Sequence, residues 1–233
     1  RRWLSWASRG VTLLLLAGTS WLARGAVADR RVSASEVAAM AARIEARSGF
    51  PVVVDEHVVE ALDRMVASPE AREPLRQALA RLPRYRPVIE PVLRERGLPL
   101  ELVAVALLES RLDAGAQTSR PVEKRAVGLW QIIPGTARAF GLEVSPARDE
   151  RLDPQRATEA AAALLAAGHA RFGDWPLAIA AYNGGPSVIQ AITSGLSVDE
   201  ARARVLATRT ELGRYLASAM ATIILVDNPH LLD

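Results

Sequence analysis

The chain has 233 residues, half of them hydrophobic, with 29 Lys+Arg against 26 Asp+Glu and no cysteine. That length supports one substantial core without requiring a second, and the missing cysteine excludes disulfides, thiolate metal sites and a lipidated cysteine. Four of the arginines fall in residues 1–28, which contain no acid, so the remainder is near neutral and gives no electrostatic case for nucleic acid.

Arg1, Arg2 and Arg9 precede an apolar or neutral run from Gly10 to Ala23, and Ala26-Val27-Ala28 offers small residues for a signal peptidase. Residues 1–28 therefore read as a secretory signal, leaving an exported, soluble, periplasmic protein from about Asp29. The run is shorter than the roughly 20 apolar residues of a spanning helix. An uncleaved anchor, with weak membrane association, is the alternative.

Residues 29–84 read as an N-terminal helical extension, and strand signals are nearly absent. Ser33 and Glu36 form a capping-box pattern, with Gly49 at the expected stop. Asp55 caps a second helix striped by Val58, Val59, Leu62, Met65 and Val66. Pro69 opens a third, with Pro74 a candidate bend, and Pro87 and Pro91 confine the next helix start to their neighbourhood. No Gly/Ser/Pro linker separates this region from residue 85 onward, so a buttress that completes the core fits it better than a separate module.

A very apolar helix is expected after Pro99, through Leu102 to Leu108, buried on nearly all sides and carrying Glu109 at its end. Desolvation and the negative end of the helix dipole both raise a carboxyl's pKa there, which is what a general acid near neutral pH needs. The plainer reading is a glutamate emerging into solvent beside Arg111. Ser110 comes next, then a charged loop through Thr118, Ser119, Arg120 and Lys124. After the loop stands Gly128-Leu129-Trp130-Gln131, where Gln131 suits an N-acetyl group or hydroxyl and Trp130 either stacks on a sugar or joins the core. Asp153-Pro154 and Asp174 each start a helix. The second of these ends at Ala181-Tyr182-Asn183-Gly184-Gly185. His57, His169 and His230 are scattered and no glycine-rich phosphate loop exists, so neither a metal nor a cofactor is expected.

Glu109-Ser110, Gly128-Leu129-Trp130-Gln131 and Ala181-Tyr182-Asn183-Gly184-Gly185 together resemble the soluble lytic transglycosylase (SLT) domain family. Glu211 to Tyr215 with Asn228-Pro229 is similar to the tail of its membrane-bound murein transglycosylase D branch. The resemblance implies an all-α, lysozyme-like fold, of the goose-type lysozyme and soluble lytic transglycosylase kind, in a catalytic domain over residues 85–233. It implies peptidoglycan glycan strands as the partner and cleavage of the MurNAc-GlcNAc bond with a 1,6-anhydro-MurNAc end. By the same resemblance Glu109 is the single acid, Tyr182 hydrogen-bonds it, and Ser110, Thr118 or Ser119, Gln131 and Asn183 meet substrate. The chain departs from the family at one place. Arg125-Ala126 replaces the family's Gly-Ala pair in a slightly longer loop, which borders the cleft and puts substrate positioning, not the acid, in question. A hydrolytic muramidase and a non-catalytic wall-binding protein remain the alternatives.

Overall fold

Short-range hydrogen bonds set most of the helix starts. In the computed structural model, which describes residues 31–208 and 210–233, helix α1 (Ala34–Ser48) is capped by the reciprocal Ser33–Glu36 box and stops at Gly49, φ 72°. The Asp55 carboxylate accepts from the Val58 N–H at 3.0 Å and starts α2 (Glu56–Val66). Ser68 caps α3 (Pro69–Glu95). A 3-10 turn, Leu100–Leu102, leads into α4 (Val103–Ser110), and α5 is Pro134–Ala139. Asp153 and Asp174 cap α6 (Pro154–Phe172) and α7 (Trp175–Gly184), and the chain continues through α8 (Pro186–Thr193), α9 (Val198–Leu206) and α10 (Glu211–Asp227). Among the described residues β-structure is limited to isolated bridges, two of them at Val127, to Gln117 and to Ile132. The expected signal, residues 1–28, lies outside the described residues.

The expected helix start near Pro87 and Pro91 does not occur: α3 is one continuous helix with Pro74, Pro83, Pro87 and Pro91 inside it. The reason is where the prolines fall. Pro83, Pro87 and Pro91 are spaced by four and all exposed, so the carbonyls they leave without an intrahelical donor, at Leu79, Pro83 and Pro87, lie toward water rather than in the core. The opposite face buries Ala78, Leu82, Tyr85, Ile89, Val92 and Leu93, and that packing holds the helix together.

The core is organised around α10. Leu212, Leu216, Met220, Ile223, Ile224 and Leu225 are all buried, and the helix packs against α1, α2, α4, α7 and α9. One apolar cluster runs from Val32 to Leu232, so the N-terminal helices and the helix bearing Glu109 share a single interior. Helices α6 and α7 approach closely at Gly168, where a Cβ would stand 3.2 Å from the Ala178 backbone.

Candidate active site

Helix α4 buries every side chain from Val103 to Leu107, as its composition requires, and ends at Ser110. Arg111 terminates it in the left-handed region, φ 54°, its N–H donating to the Leu107 carbonyl at 2.8 Å. For a residue with a Cβ that conformation costs on the order of 1 kcal/mol, and Leu112 (φ 57°) and Gln131 (φ 49°) share it. Strained backbone is thus gathered around the last turn of α4.

Glu109 leaves that turn into a cleft of about 920 Å³, whose lining includes Thr118, Gln131, Tyr182 and Asn183. Burial of the carboxyl raises its pKa from 4.5 to about 7, against the opposing pull of a hydrogen bond from Tyr215. The Tyr215 hydroxyl donates to Glu109 Oε1 at 2.6 Å. Near neutral pH this carboxyl is therefore protonated about half the time, able both to give a proton and to take one back.

The tyrosine that touches the acid is not the expected one. Tyr182 donates instead to the Trp130 carbonyl at 2.7 Å, tying α7 to the turn of residues 128–131. Helix α10 crosses α4 and brings Tyr215 to Glu109 from 106 residues away, a tertiary contact that no local motif announces. The only sequence signal is the Glu211–Tyr215 string, which carries a family likeness without a role. Burial foremost, then the neighbouring Glu109 charge, raises both phenols well above their ordinary range, so both stay protonated donors.

The 128–131 turn is built for rigidity. Gly128 has φ 81°, and a Cβ there would lie 2.0 Å from the Arg151 carbonyl oxygen, so only glycine fits. The buried Arg151 side chain donates Nη1 to the carbonyls of Arg125 (2.7 Å) and Ile132 (2.9 Å), while Nε and Nη2 hold Asp149. Trp130 is fully buried, its indole N–H donating to Thr158 Oγ1 at 2.9 Å, which makes it core and not a sugar platform. Gln131 Nε2 donates to the carbonyls of Ala116 (3.1 Å) and Gly128 (2.8 Å), leaving Oε1 as the amide atom that can accept from a ligand in the cleft.

The remaining expected residues divide. Asn183 lines the cleft beside Tyr182. Thr118 does too, its Oγ1 accepting from the Ala126 N–H at 3.1 Å, whereas Ser119 is exposed and does not form part of the lining. Ser110 is corrected: it is buried and outside the cleft lining, its hydroxyl donating toward the carbonyls of Leu129 (2.8 Å) and Ala106 (3.1 Å), so it joins α4 to the 128–131 turn. Asp149 is held below the usual carboxylate range by Arg151, and Glu150 pairs with Arg148 at 2.9 Å; neither lines the cleft. Glu211, at the start of α10, does line it, and no sequence motif gave it a role. Among the described residues no group of three or more His, Asp or Glu could hold a metal ion.

The model of the Transglycosylase SLT domain family matches residues 87–195. A protein of Alteromonas sp. (strain M-1) named for tributyltin chloride resistance is 39% identical over 117 residues, 49% of this chain and 55% of that protein. Membrane-bound lytic murein transglycosylase D of Escherichia coli K12 is 38% identical over 102 residues, 43% of this chain and 22% of that protein. The likeness thus spans about half of one curated relative and about a fifth of the other. The 70 kDa soluble lytic transglycosylase Slt70 of E. coli superposes with a TM-score of 0.51 at 19% identity, covering 86% of this chain and 31% of that one, which makes the all-α, lysozyme-like fold common to both.

Proposed function

We propose that the protein is an exported peptidoglycan lytic transglycosylase that cleaves the MurNAc-GlcNAc β-1,4 bond with Glu109 as its acid and base. The observation that carries this reading is the Glu109 carboxyl, at about 7, in the cleft of an SLT domain with a phenol donating to it. Protonated Glu109 gives its proton to the glycosidic oxygen as the bond to the muramyl C1 breaks. The muramyl 6-hydroxyl then attacks C1 and returns its proton to Glu109. Tethering favours this internal hydroxyl over water, because the entropy of bringing the nucleophile in has already been lost. Tyr215 holds the carboxyl in place, Tyr182 supports the 128–131 turn, and Gln131 Oε1 with Asn183 receives the sugar's polar groups. The apolar run of residues 10–23 supports export, and among the described residues no helix is long and apolar enough to cross a membrane.

Digestion of purified sacculi, with the unreduced products weighed by mass spectrometry, tests the reading. Muramyl ends lighter by one water are expected; predominantly reducing ends defeat it. A second reading has one observation in its favour. Glu211 lies in the cleft lining, and a second carboxylate is what a hydrolytic muramidase needs to activate water. Its exposed position one helical turn before Tyr215 leaves it more hydrated than Glu109. On the transglycosylase reading Glu211→Gln keeps the anhydro product and most of the rate; on the hydrolytic reading it abolishes turnover.

A further inference from the structure

The loop that departs from the family pattern is a held platform. Thr118 N–H donates to the Ala126 carbonyl at 3.0 Å, Ala126 N–H to Thr118 Oγ1 at 3.1 Å, and Arg125 Nε to the Arg120 carbonyl at 3.2 Å. Arg151 fastens its far end through the Arg125 carbonyl, and Pro121 starts a 3-10 turn, Val122–Lys124, across its crown. Two cations on this platform, Arg120 and Lys124, line the cleft. Both are exposed, and among the described residues neither side chain has an ion-pair or hydrogen-bond partner.

Many other arginines among the described residues are paired: Arg148 and Arg156 with Glu150, Arg202 with Asp174, Arg47 with Asp227. The charges are spaced along one rim, while the other charged groups in the lining, Glu109 and Glu211, come from α4 and α10. With Glu109 close to half protonated, the cleft presents positive charge on the loop and negative charge at the start of α10. While each lactyl carboxyl is tied up as the amide of a stem peptide, the glycan backbone cleaved in the proposed reaction is neutral, so nothing in the sugars calls for two unpaired cations. What carries negative charge on such a strand is the stem peptide on each muramyl lactyl group, through its free carboxylates. It must leave the cleft over a rim.

We propose that Arg120 and Lys124 form a carboxylate-binding rim that receives the stem peptide and makes the protein prefer glycan strands whose stem peptides carry free carboxylates over strands whose peptides do not. The proposal rests on the function proposed above. Arg120 offers a planar fork and Lys124 a mobile point charge. At exposed sites each contributes a few-fold, screened as salt shortens the Debye length.

The test is the double variant Arg120→Gln, Lys124→Gln, assayed on un-cross-linked strands with intact stem peptides and on the same strands with the peptide carboxylates capped as methylamides, since stripping by an amidase would leave a new lactyl carboxylate on each muramyl residue. On uncapped strands kcat/KM falls about 3- to 10-fold, through KM, and the deficit shrinks at high salt. On capped strands parent and variant agree within about twofold. The charge-keeping swap Arg120→Lys, Lys124→Arg recovers most of the loss. An equal deficit on both strands, or none on either, overturns the rim. Co-sedimentation of both proteins with the two strand types keeps this separate from the reaction itself. If the parent cleaves neither strand, the catalytic reading fails, yet the rim still stands or falls on whether the parent binds uncapped strands more tightly than the variant does.

Discussion

Replacing Glu109 with glutamine should slow turnover and, above neutral pH, stabilise the protein. The folded carboxyl titrates at about 7 against an ordinary 4.5 because burial disfavours its charge. Below pH 4.5 both the folded and the unfolded chain carry the proton, and nothing is lost. Between 4.5 and 7 the unfolded chain releases it while the folded chain keeps it, so the unfolded state binds fewer protons and stability falls as pH rises. Above 7 the loss is complete. At about 1.4 kcal/mol for each pH unit, the window is worth about 3 kcal/mol. An amide does not titrate, and it can still accept from Tyr215, so Glu109→Gln escapes this loss. Urea unfolding across about pH 4 to 8.5 measures it, provided the m-value stays constant. The variant's advantage should be near zero at the acid end and approach about 3 kcal/mol at the alkaline end, while turnover drops about 10² to 10⁴-fold. Parallel stability curves for parent and variant would refute the burial argument, whatever happened to the rate.

Tyr215→Phe removes the one hydrogen bond that lowers the Glu109 pKa; the alkaline limb of the rate profile should move to higher pH while kcat falls, which a pH series of initial rates reads. Gly128→Ala drives a Cβ into the Arg151 carbonyl, and thermal unfolding should show a loss of about 3 kcal/mol or more, with activity lost alongside. Pro87→Ala restores a donor for the Pro83 carbonyl on the exposed face of α3, and chemical denaturation should show a gain of about 1 kcal/mol, part of the intrinsic proline penalty being offset by a freer unfolded chain.

How far the fold is legible in the sequence depends on the range of the interactions. Ser33, Asp55, Asp153 and Asp174 all cap the helices expected of them, because a cap is settled within three residues. The burial of α4 comes from composition alone. Pro87 and Pro91 mislead, since a proline's cost depends on whether the freed carbonyl meets water, and that depends on which face the rest of the fold covers. Ser110 and Tyr182 are drawn toward substrate and acid by their motifs, yet their hydroxyls meet the carbonyls of Leu129 and Trp130. Tyr215 escapes notice because its contact with Glu109 exists only after α10 crosses α4.

Helix α10 makes the acid answerable to distant parts of the chain. It carries the Tyr215 phenol at one end and rests on α1 and α2, so the helices before residue 69 help determine how dry Glu109 is kept. A fragment trimmed to residues 87–195 would retain Glu109, Gln131, Tyr182 and Asn183 and would read as a complete domain by its motifs. It would leave behind the helix that roofs α4, admitting water to the carboxyl and letting it drift back toward 4.5, the ordinary value. Such a fragment would be a poor proton donor at neutral pH, and the proton affinity of Glu109 can serve as a gauge of whether the N-terminal helices are seated.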